Sequence, residues 1–419
     1  LQKIRKFLFG GIVKEERTKG MVKNPNPILY YGAVSLFKLY YRLFYHHRVD
    51  KSAMGGIKPP FLVVAGHSCW LDYIISSTSM FPVRMNYVGA YNFFRSRLLK
   101  SVFNIMGVIP RHQFTSDITS VRKMKYCIDK GRAVALFPHG CLSNEGRPGG
   151  FASTGVAKLI KFLNVPVVAV KTDGGYLTRP RWTKKSRHGR LETTVKPILT
   201  VDEIKDLSNK EIYQRLISTI EFDDYKWQRE KMVTFRSKNA AEGVEYVLYK
   251  CPKCQSEFTL RSKKDRLYCQ VCGNAVRMNR YMFFEPETTD TVFFDGIDRW
   301  YDFQRSCLDN EIESKTFQLT ANTELKFAEP GKYGYQHQGC GVLRLTKDAI
   351  TYTGKIQDVP TEIRLPMKNI PMIPYAANEY IEVAVREDIY RFVLEDRRQM
   401  MKWVMAVRLI RDKYYEEGS

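Results

Sequence analysis

The 419-residue chain contains no stretch of about 18 uninterrupted apolar residues, which excludes an ordinary membrane-spanning helix. It has no internal repeat and no low-complexity tract, so solenoids and linker-dominated architectures drop out. A basic leader with a small-residue cleavage site is missing too, although the first residue is Leu1 rather than Met, and the natural start is expected further upstream. Acidic residues are scarce: 44 Asp and Glu face 67 Lys and Arg, a formal net charge of +23. That imbalance points to an anionic partner, either nucleic acid or an anionic membrane surface. Nine cysteines, four of them in two tight pairs, do not resemble a secreted disulfide framework, and the chain is expected on the cytoplasmic side.

What is present is enough for two or three domains, with 44% hydrophobic residues to build their cores. The first fifty residues interleave Lys3, Arg5, Lys6, Lys14, Arg17, Lys19 and Lys23 with Phe7, Leu8, Phe9 and Ile12, the mixture of a surface-lying membrane segment. From Ile28 to His46 the pattern is helical and aromatic but broken by Lys38 and Arg42, so peripheral, monotopic attachment is expected. A second candidate surface patch runs from Tyr87 to Val108, where Phe93, Phe94, Leu98, Leu99, Val102 and Phe103 alternate with Arg95, Arg97 and Lys100. An ordinary amphipathic helix packed on a sheet gives the same pattern.

Beyond that arm, apolar strands alternate with helical stretches. Strands are expected at Phe61 to Ala65, Met85 to Val88, Ala133 to Phe137 and Val165 to Val170, with helices near Leu71 to Met80 and Gly155 to Leu163. This alternation predicts a mostly parallel α/β sheet. A polar helical region follows from Ile204 to about Arg236, with Asp202 or Ser208 as caps. Directly after the first strand, His67 and Asp72 stand five positions apart. On one regular helix they would point about 140° apart. They meet only if His67 sits on a loop and Asp72 in the first helical turn. The carboxylate then holds one imidazole nitrogen while the other takes a proton from a hydroxyl.

Three further segments follow in order: Gly107-Val-Ile-Pro-Arg111, Leu136-Phe-Pro-His-Gly-Cys-Leu-Ser143 and Val165-Pro-Val-Val-Ala-Val170. With the His-x-x-x-x-Asp, these four blocks resemble the ordered motifs of the glycerolipid acyltransferases, and of 1-acyl-glycerol-3-phosphate acyltransferases in particular, over roughly residues 28 to 200. The resemblance implies His67 as general base, Asp72 as its orienting partner, and direct attack of an acceptor hydroxyl on an acyl thioester without an acyl-enzyme. It implies that Arg111 grips the phosphorylated acceptor, which suits a guanidinium, and that Gly140 and Ser143 contribute to substrate binding; His139 either binds substrate too or is a tolerated substitution in a polar loop. The third block departs from the family form Phe-Pro-Glu-Gly-Thr-Arg-Ser: His139 replaces the glutamate and Leu142 the arginine. Either Arg147, Lys171, Arg179 or Arg181 takes over the phosphate, or the acceptor is not a simple phosphomonoester. Cys69 and Cys141 lie inside the motifs as fillers rather than nucleophiles. Gly146, Arg147, Phe151, Gly155 and the run Ala157 to Leu159 continue the family pattern.

Cys251-x-x-Cys254 and Cys269-x-x-Cys272, fourteen residues apart, read as a four-thiolate Zn²⁺ ribbon with Gly273 easing the second turn. Four protein ligands leave no open position, so the metal is expected to be structural. Lys253, Arg261, Lys263, Lys264 and Arg266 are offset by Glu257 and Asp265, and few aromatics are spaced for base stacking. That weighs against nucleic acid and for a brace between domains. After a helix from Ile297 to Ile312, short strands (Phe317 to Leu319, Gly341 to Leu345, Ile350 to Tyr352, Glu362 to Leu365, Tyr380 to Val385) and a helix from Arg397 to about Tyr415 look like a pleckstrin-homology or GRAM-like module.

The expected organisation is therefore α/β. An amphipathic arm (1–50) precedes a mostly parallel acyltransferase domain (51–240), a zinc ribbon (241–282) and a small α+β domain (283–419). The expected activity is transfer of a fatty acyl chain from acyl-CoA or acyl-carrier protein to a lysophospholipid hydroxyl, most simply that of 1-acyl-sn-glycerol-3-phosphate, in phospholipid biosynthesis. The alternative is a non-catalytic lipid- or nucleic-acid-binding protein that has kept the fold, and the intact dyad separates the two.

Overall fold

The computed structural model describes residues 22–112, 117–150, 152–329, 332–385 and 388–415. The basic series from Lys3 to Lys19 and Phe151 lie outside the described residues.

Short β-branched runs build the first sheet. Its strands are β1 (Arg48–Asp50), β2 (Leu62–Ala65), β3 (Met85–Ala90), β4 (Ile109–Arg111), β5 (Ala133–Leu136), β6 (Val167–Asp173) and β7 (Glu192–Leu199). They lie in the order β1-β7-β6-β2-β5-β3-β4. All neighbours pair in parallel except β6 with β7. Every residue of β2 is buried, as a central strand covered on both faces requires. Leu62 and Val64 pack with Met124, Ile160 and Leu216 on one side, while Phe61, Val63 and Ala65 pack with Met80 and Val168 on the other.

The helices of this half are α1 (Pro27–Phe44), α2 (Asp72–Met80), α3 (Arg97–Ile105), α4 (Ile118–Asp129), α5 (Gly155–Leu163), the single turn α6 (Gly175–Thr178), α7 (Val201–Asp206), α8 (Asn209–Ile220) and α9 (Asp224–Lys231). The polar helical region expected up to about Arg236 comprises three helices and ends at Lys231. Ser208 caps α8, but Thr200 rather than Asp202 caps α7, each within a reciprocal capping box with Glu211 and Glu203. Strands β1, β4 and β7 were not expected, and β1 pairs with β7 across the expected boundary at residue 50.

A four-stranded antiparallel sheet follows, built from β8 (Leu260–Lys263), β9 (Arg266–Cys269), β10 (Ala275–Met278) and β11 (Phe284–Pro286). Then come α10 (Ile297–Glu313), seven strands and α11 (Met400–Tyr414). The strands are β12 (Leu319–Phe327), β13 (Gln336–Leu345), β14 (Ala349–Ile356), β15 (Val359–Pro366), β16 (Tyr375–Ala376), β17 (Tyr380–Val385) and β18 (Asp388–Leu394), in the order β15-β14-β13-β12-β18-β17-β16, all antiparallel. They are mostly longer than the sequence pattern suggested, Phe317 falls before the first of them, and β16 and β18 were missed.

These parts share one hydrophobic core. Tyr176, Trp182 and Trp227 of the first half join Leu260 and Val276 of the ribbon, Trp300 of α10, Phe392 of β18 and Trp403 of α11. Within the same junction Lys402 of α11 binds Glu257 at 2.7 Å and Glu311 at 2.6 Å, and Lys250, next to Cys251, reaches Glu257 at 3.3 Å.

Candidate active site

Strand β2 ends at Ala65, and its next residue, Gly66, has no room for a side chain: an added Cβ would lie 2.9 Å from the Ile220 carbonyl and 3.0 Å from the Phe222 ring. The chain therefore passes closely under the loop between α8 and α9 and delivers His67 at the carboxyl edge of the parallel strands, where open α/β sheets place their sites. Asp72 opens α2. The turn between them brings His67 Nδ1 to 2.9 Å from Asp72 Oδ2. Asp72 is 3% exposed, and its carboxylate also accepts from Cys69 N (2.9 Å), Ser68 Oγ (3.1 Å) and Cys69 Sγ (3.4 Å). Such a set of donors fixes the orientation of the carboxylate. The imidazole stacks on Phe137, with centroids 4.4 Å apart, and meets Tyr73 edge-on. Its Nε2 forms no hydrogen bond among the described residues.

The third block folds as a loop beneath this histidine. Ser143 is fully buried and its groups are used within the loop: its N–H donates to the His67 carbonyl (3.2 Å), its Oγ donates to the Arg147 carbonyl (2.5 Å), and Gly146 N–H donates to that Oγ (2.8 Å). These bonds shape the loop. Gly140 adopts φ +65° in the turn that its N–H closes on the Phe137 carbonyl. His139 is buried, and its Nδ1 has no hydrogen-bond partner. Burial, with His67 and Arg408 nearby, pushes its pKa down to about 4, so it is neutral at pH 7. Glu145 of the same loop is driven up to about 7 by burial, against the pull of Arg147 and Arg408.

Arg111 ends β4, three places along the sheet from β2, or roughly 14 Å at about 4.8 Å per strand. It is on the same edge as His67 but not beside it, and its half-buried guanidinium feels mainly desolvation, opposed by Asp117. Of the cations considered as replacements for the missing arginine, three are engaged elsewhere. Arg147 holds Asp302 of α10 at 2.7 and 3.1 Å, and Lys171 pairs with Asp173 at 3.4 Å. Arg181 donates to the carbonyls of Leu142 and Tyr375 and stacks 3.6 Å over the Tyr375 ring. Leu142 is buried where the family carries its arginine.

Two residues near the site went unseen in the sequence. Asn144 joins the third block to later segments: its Oδ1 accepts from Tyr375 Oη (2.9 Å) and Arg181 (3.3 Å), and its carbonyl accepts from Tyr176 Oη (2.9 Å). Asp224, fully buried, accepts from the backbone N–H of Gly174 (3.0 Å), Tyr176 (2.7 Å) and Leu177 (3.4 Å). Burial, then Asp173, pushes its carboxyl pKa up, and the three backbone N–H donors, which favour the carboxylate, oppose that shift. A faint signal existed in the pair Asp223-Asp224 ahead of a helix, since Asp223 alone serves as the cap.

The four cysteines of the ribbon come together, with all Sγ atoms within 4.8 Å of one another and Cys251–Cys272 and Cys254–Cys269 each at 3.7 Å. Four sulfurs about 2.3 Å from a tetrahedral Zn²⁺ would be about 3.8 Å apart, so the set fits the ion. Both knuckles turn alike: Gln255 N–H donates to Cys251 O and Gly273 N–H to Cys269 O, and both residues have positive φ, +62° and +71°.

One surface is apolar. α1 buries only Tyr30, Val34 and Tyr41 and turns Ile28 (82% exposed), Leu36, Leu39 and Leu43 outward. Next to it, where Asn26 N–H meets the Ile105 carbonyl, α3 exposes Leu98 (74%), Val102 and Ile105. α3 is therefore not the sheet-packed helix that its pattern allowed. Among the described residues no helix is long and apolar enough to cross a membrane.

Residues 44–172 match the family model described as Acyltransferase. A search of curated proteins finds no match. Among solved structures the chain is similar to the 1-acyl-sn-glycerophosphate (LPA) acyltransferase PlsC from Thermotoga maritima, at 15% identity and a TM-score of 0.40, over 49% of this chain and 79% of that one. It is also similar to the N-terminal PH domain of human ARAP2, at 15% identity and a TM-score of 0.19, over 24% of this chain and 86% of that one. Both superpositions are too loose to carry weight for fold or activity.

Proposed function

We propose that the acyltransferase-family domain at residues 44–172 transfers a fatty acyl chain from an acyl thioester, acyl-CoA or acyl-carrier protein, to the hydroxyl of a lysophospholipid such as 1-acyl-sn-glycerol-3-phosphate, in phospholipid biosynthesis. The observation that carries this reading is the dyad: an imidazole with Nδ1 held by a buried carboxylate and Nε2 without a hydrogen bond among the described residues. In the reaction Nε2 takes the acceptor hydroxyl's proton as the oxygen attacks the thioester carbonyl. The C–S bond breaks, the proton passes to the departing thiolate, and Asp72 balances the transient imidazolium. No residue is acylated.

The apolar faces of α1 and α3 favour a peripheral membrane enzyme, since exposed apolar residues interspersed with Arg42, Arg97 and Lys100 suit an anionic bilayer on the cytoplasmic face. We assign the four cysteines to a structural Zn²⁺; bound there, the ion would tie the two knuckles together. The seven-stranded unit closed by α11 follows the plan of a pleckstrin-homology-like module, and we read it as a docked companion of the third block.

The experiment is a panel of lysolipids incubated with the purified chain and a labelled acyl thioester. Transfer to at least one acceptor, abolished by His67→Ala with liposome binding intact, is expected. Near-wild-type turnover in His67→Ala would refute the catalytic assignment, and a folded chain inert on the whole panel would favour the binding-protein alternative.

A further inference from the structure

We infer that Asp224 is a positioning residue for the His67–Asp72 pair, acting through Gly175 and Ser68. It lies beyond the segment matched by the acyltransferase family, and the inference rests on the catalytic reading of His67 given above.

The linkage is continuous. The Asp224 carboxylate gathers the N–H groups of Gly174, Tyr176 and Leu177, which fixes the turn following β6. That turn presses Gly175 against the dyad: a Cβ added there would lie 2.2 Å from Ser68 Oγ and 3.7 Å from Asp72 Oδ1. Ser68 Oγ in turn donates to Asp72 Oδ1 at 3.1 Å, and Asp72 Oδ2 receives His67 Nδ1. The backbone of Asp224 meets the other side of the site, where its N–H donates to the Gly146 carbonyl at 2.9 Å in the third block. Just upstream, Ile220 and Phe222 close on Gly66. One short segment, 220–224, therefore touches the strand end that presents His67, the loop beneath it and the turn behind Asp72.

A buried carboxylate accepting three backbone donors is a rigid fixture. Replacing one of its oxygens by an amide N–H₂ sets donor against donor. The turn then relaxes, Gly175 no longer confines Ser68, and Asp72 loses one of the donors that aim it. The effect should fall on kcat, since nothing in this linkage faces the acceptor or the thioester.

The test uses the full chain, 1-acyl-sn-glycerol-3-phosphate and acyl-CoA. Asp224→Asn is expected to lower kcat by about 10-fold or more with KM changed less than 2-fold, on the scale of one lost orienting hydrogen bond. Ser68→Ala should lower kcat similarly, and the double variant should be little worse than either single one, because both act on one linkage. Gly175→Ala, which drives a methyl into Ser68 Oγ, should impair kcat more than Ser68→Ala does, and adding Ser68→Gly should bring it back to the Ser68→Ala level; this pair decides the matter if Asp224→Asn does not fold. Full kcat in folded Asp224→Asn, multiplicative losses in the double variant, or no recovery by Ser68→Gly would overturn the inference. If His67→Ala keeps its turnover, the catalytic reading itself has failed. If His67→Ala is inactive and Asp224→Asn is normal, only the positioning role is lost.

Discussion

Asp72→Asn separates two roles that an orienting carboxylate combines. Asp72 Oδ2 accepts from both His67 Nδ1 and Cys69 N–H, whereas Oδ1 accepts only from Ser68 Oγ and, weakly, Cys69 Sγ. An asparagine amide has one acceptor end and one donor end. Turned with its N–H₂ toward His67 it would also confront the Cys69 N–H, donor to donor. Turned the other way it keeps both bonds at the Oδ2 position and meets a hydroxyl that can rotate to accept. The second orientation wins, so the imidazole tautomer survives and the negative charge is what disappears. Hydrogen bonds to a charged partner contribute about 1.5–3 kcal/mol against about 1 for neutral pairs. The difference, about 0.5–2 kcal/mol at about 1.4 kcal/mol per decade, should lower kcat by about 2- to 30-fold. A mis-set tautomer would cost about 10⁴-fold, the scale known from Ser-His-Asp enzymes. Steady-state kinetics on the labelled thioester, with thermal melting to establish folding, make the measurement. A kcat above half of wild type would refute the electrostatic role of Asp72. A loss near 10⁴-fold in a folded variant would show that Cys69 does not set the amide's orientation.

Other outcomes follow from the same geometry. Elemental analysis should find about one Zn²⁺ per chain, and replacing Cys251 and Cys269 by Ser should remove it and lower the melting temperature, since metal binding contributes directly to folding; an unchanged melt without zinc would count against the ribbon. For His139, whose folded pKa of about 4 lies below the unfolded value near 6.5, the unfolded chain binds the extra proton, so stability falls as pH drops through that window. Its share between pH 7 and 5 is about 2 kcal/mol. Glu145 works in the opposite direction, so the quantity to read is the difference between wild type and His139→Gln in urea unfolding at the two pH values; equal pH dependence would contradict a buried neutral histidine. Leu98→Glu with Val102→Glu should weaken binding to anionic liposomes at low and high salt alike, because apolar insertion is not screened, and unaltered sedimentation would move the membrane contact elsewhere.

The His67–Asp72 pair was legible in the sequence because it is local: a strand, a turn and a helix start lie within a dozen residues, and their patterns put His67 on the loop and Asp72 in the first helical turn. The cysteines were legible for the same reason, each knuckle being one tight turn. Asp224 was not, since its partners are some fifty residues upstream and a lone acid ahead of a polar helix reads as a cap. The fate of Arg147 and Arg181 was equally hidden. Nothing near them in sequence indicates that Asp302 and Tyr375 will claim them. Strand β7, antiparallel and on a Thr-rich stretch with Pro197, lacks the continuous apolar run that revealed β2 and β6.

The core shared by Tyr176, Trp182, Trp227, Trp300 and Trp403 bears on how this molecule can be taken apart. A cut near residue 240 would strip the motif-bearing half of the wall against which its aromatic side chains close, leaving an oily scar rather than a domain surface. Melting should therefore be a single cooperative event for the whole chain. A version cut there would keep the His67–Asp72 pair and the third block yet be a fragment prone to clumping, and the two halves should express intact only together.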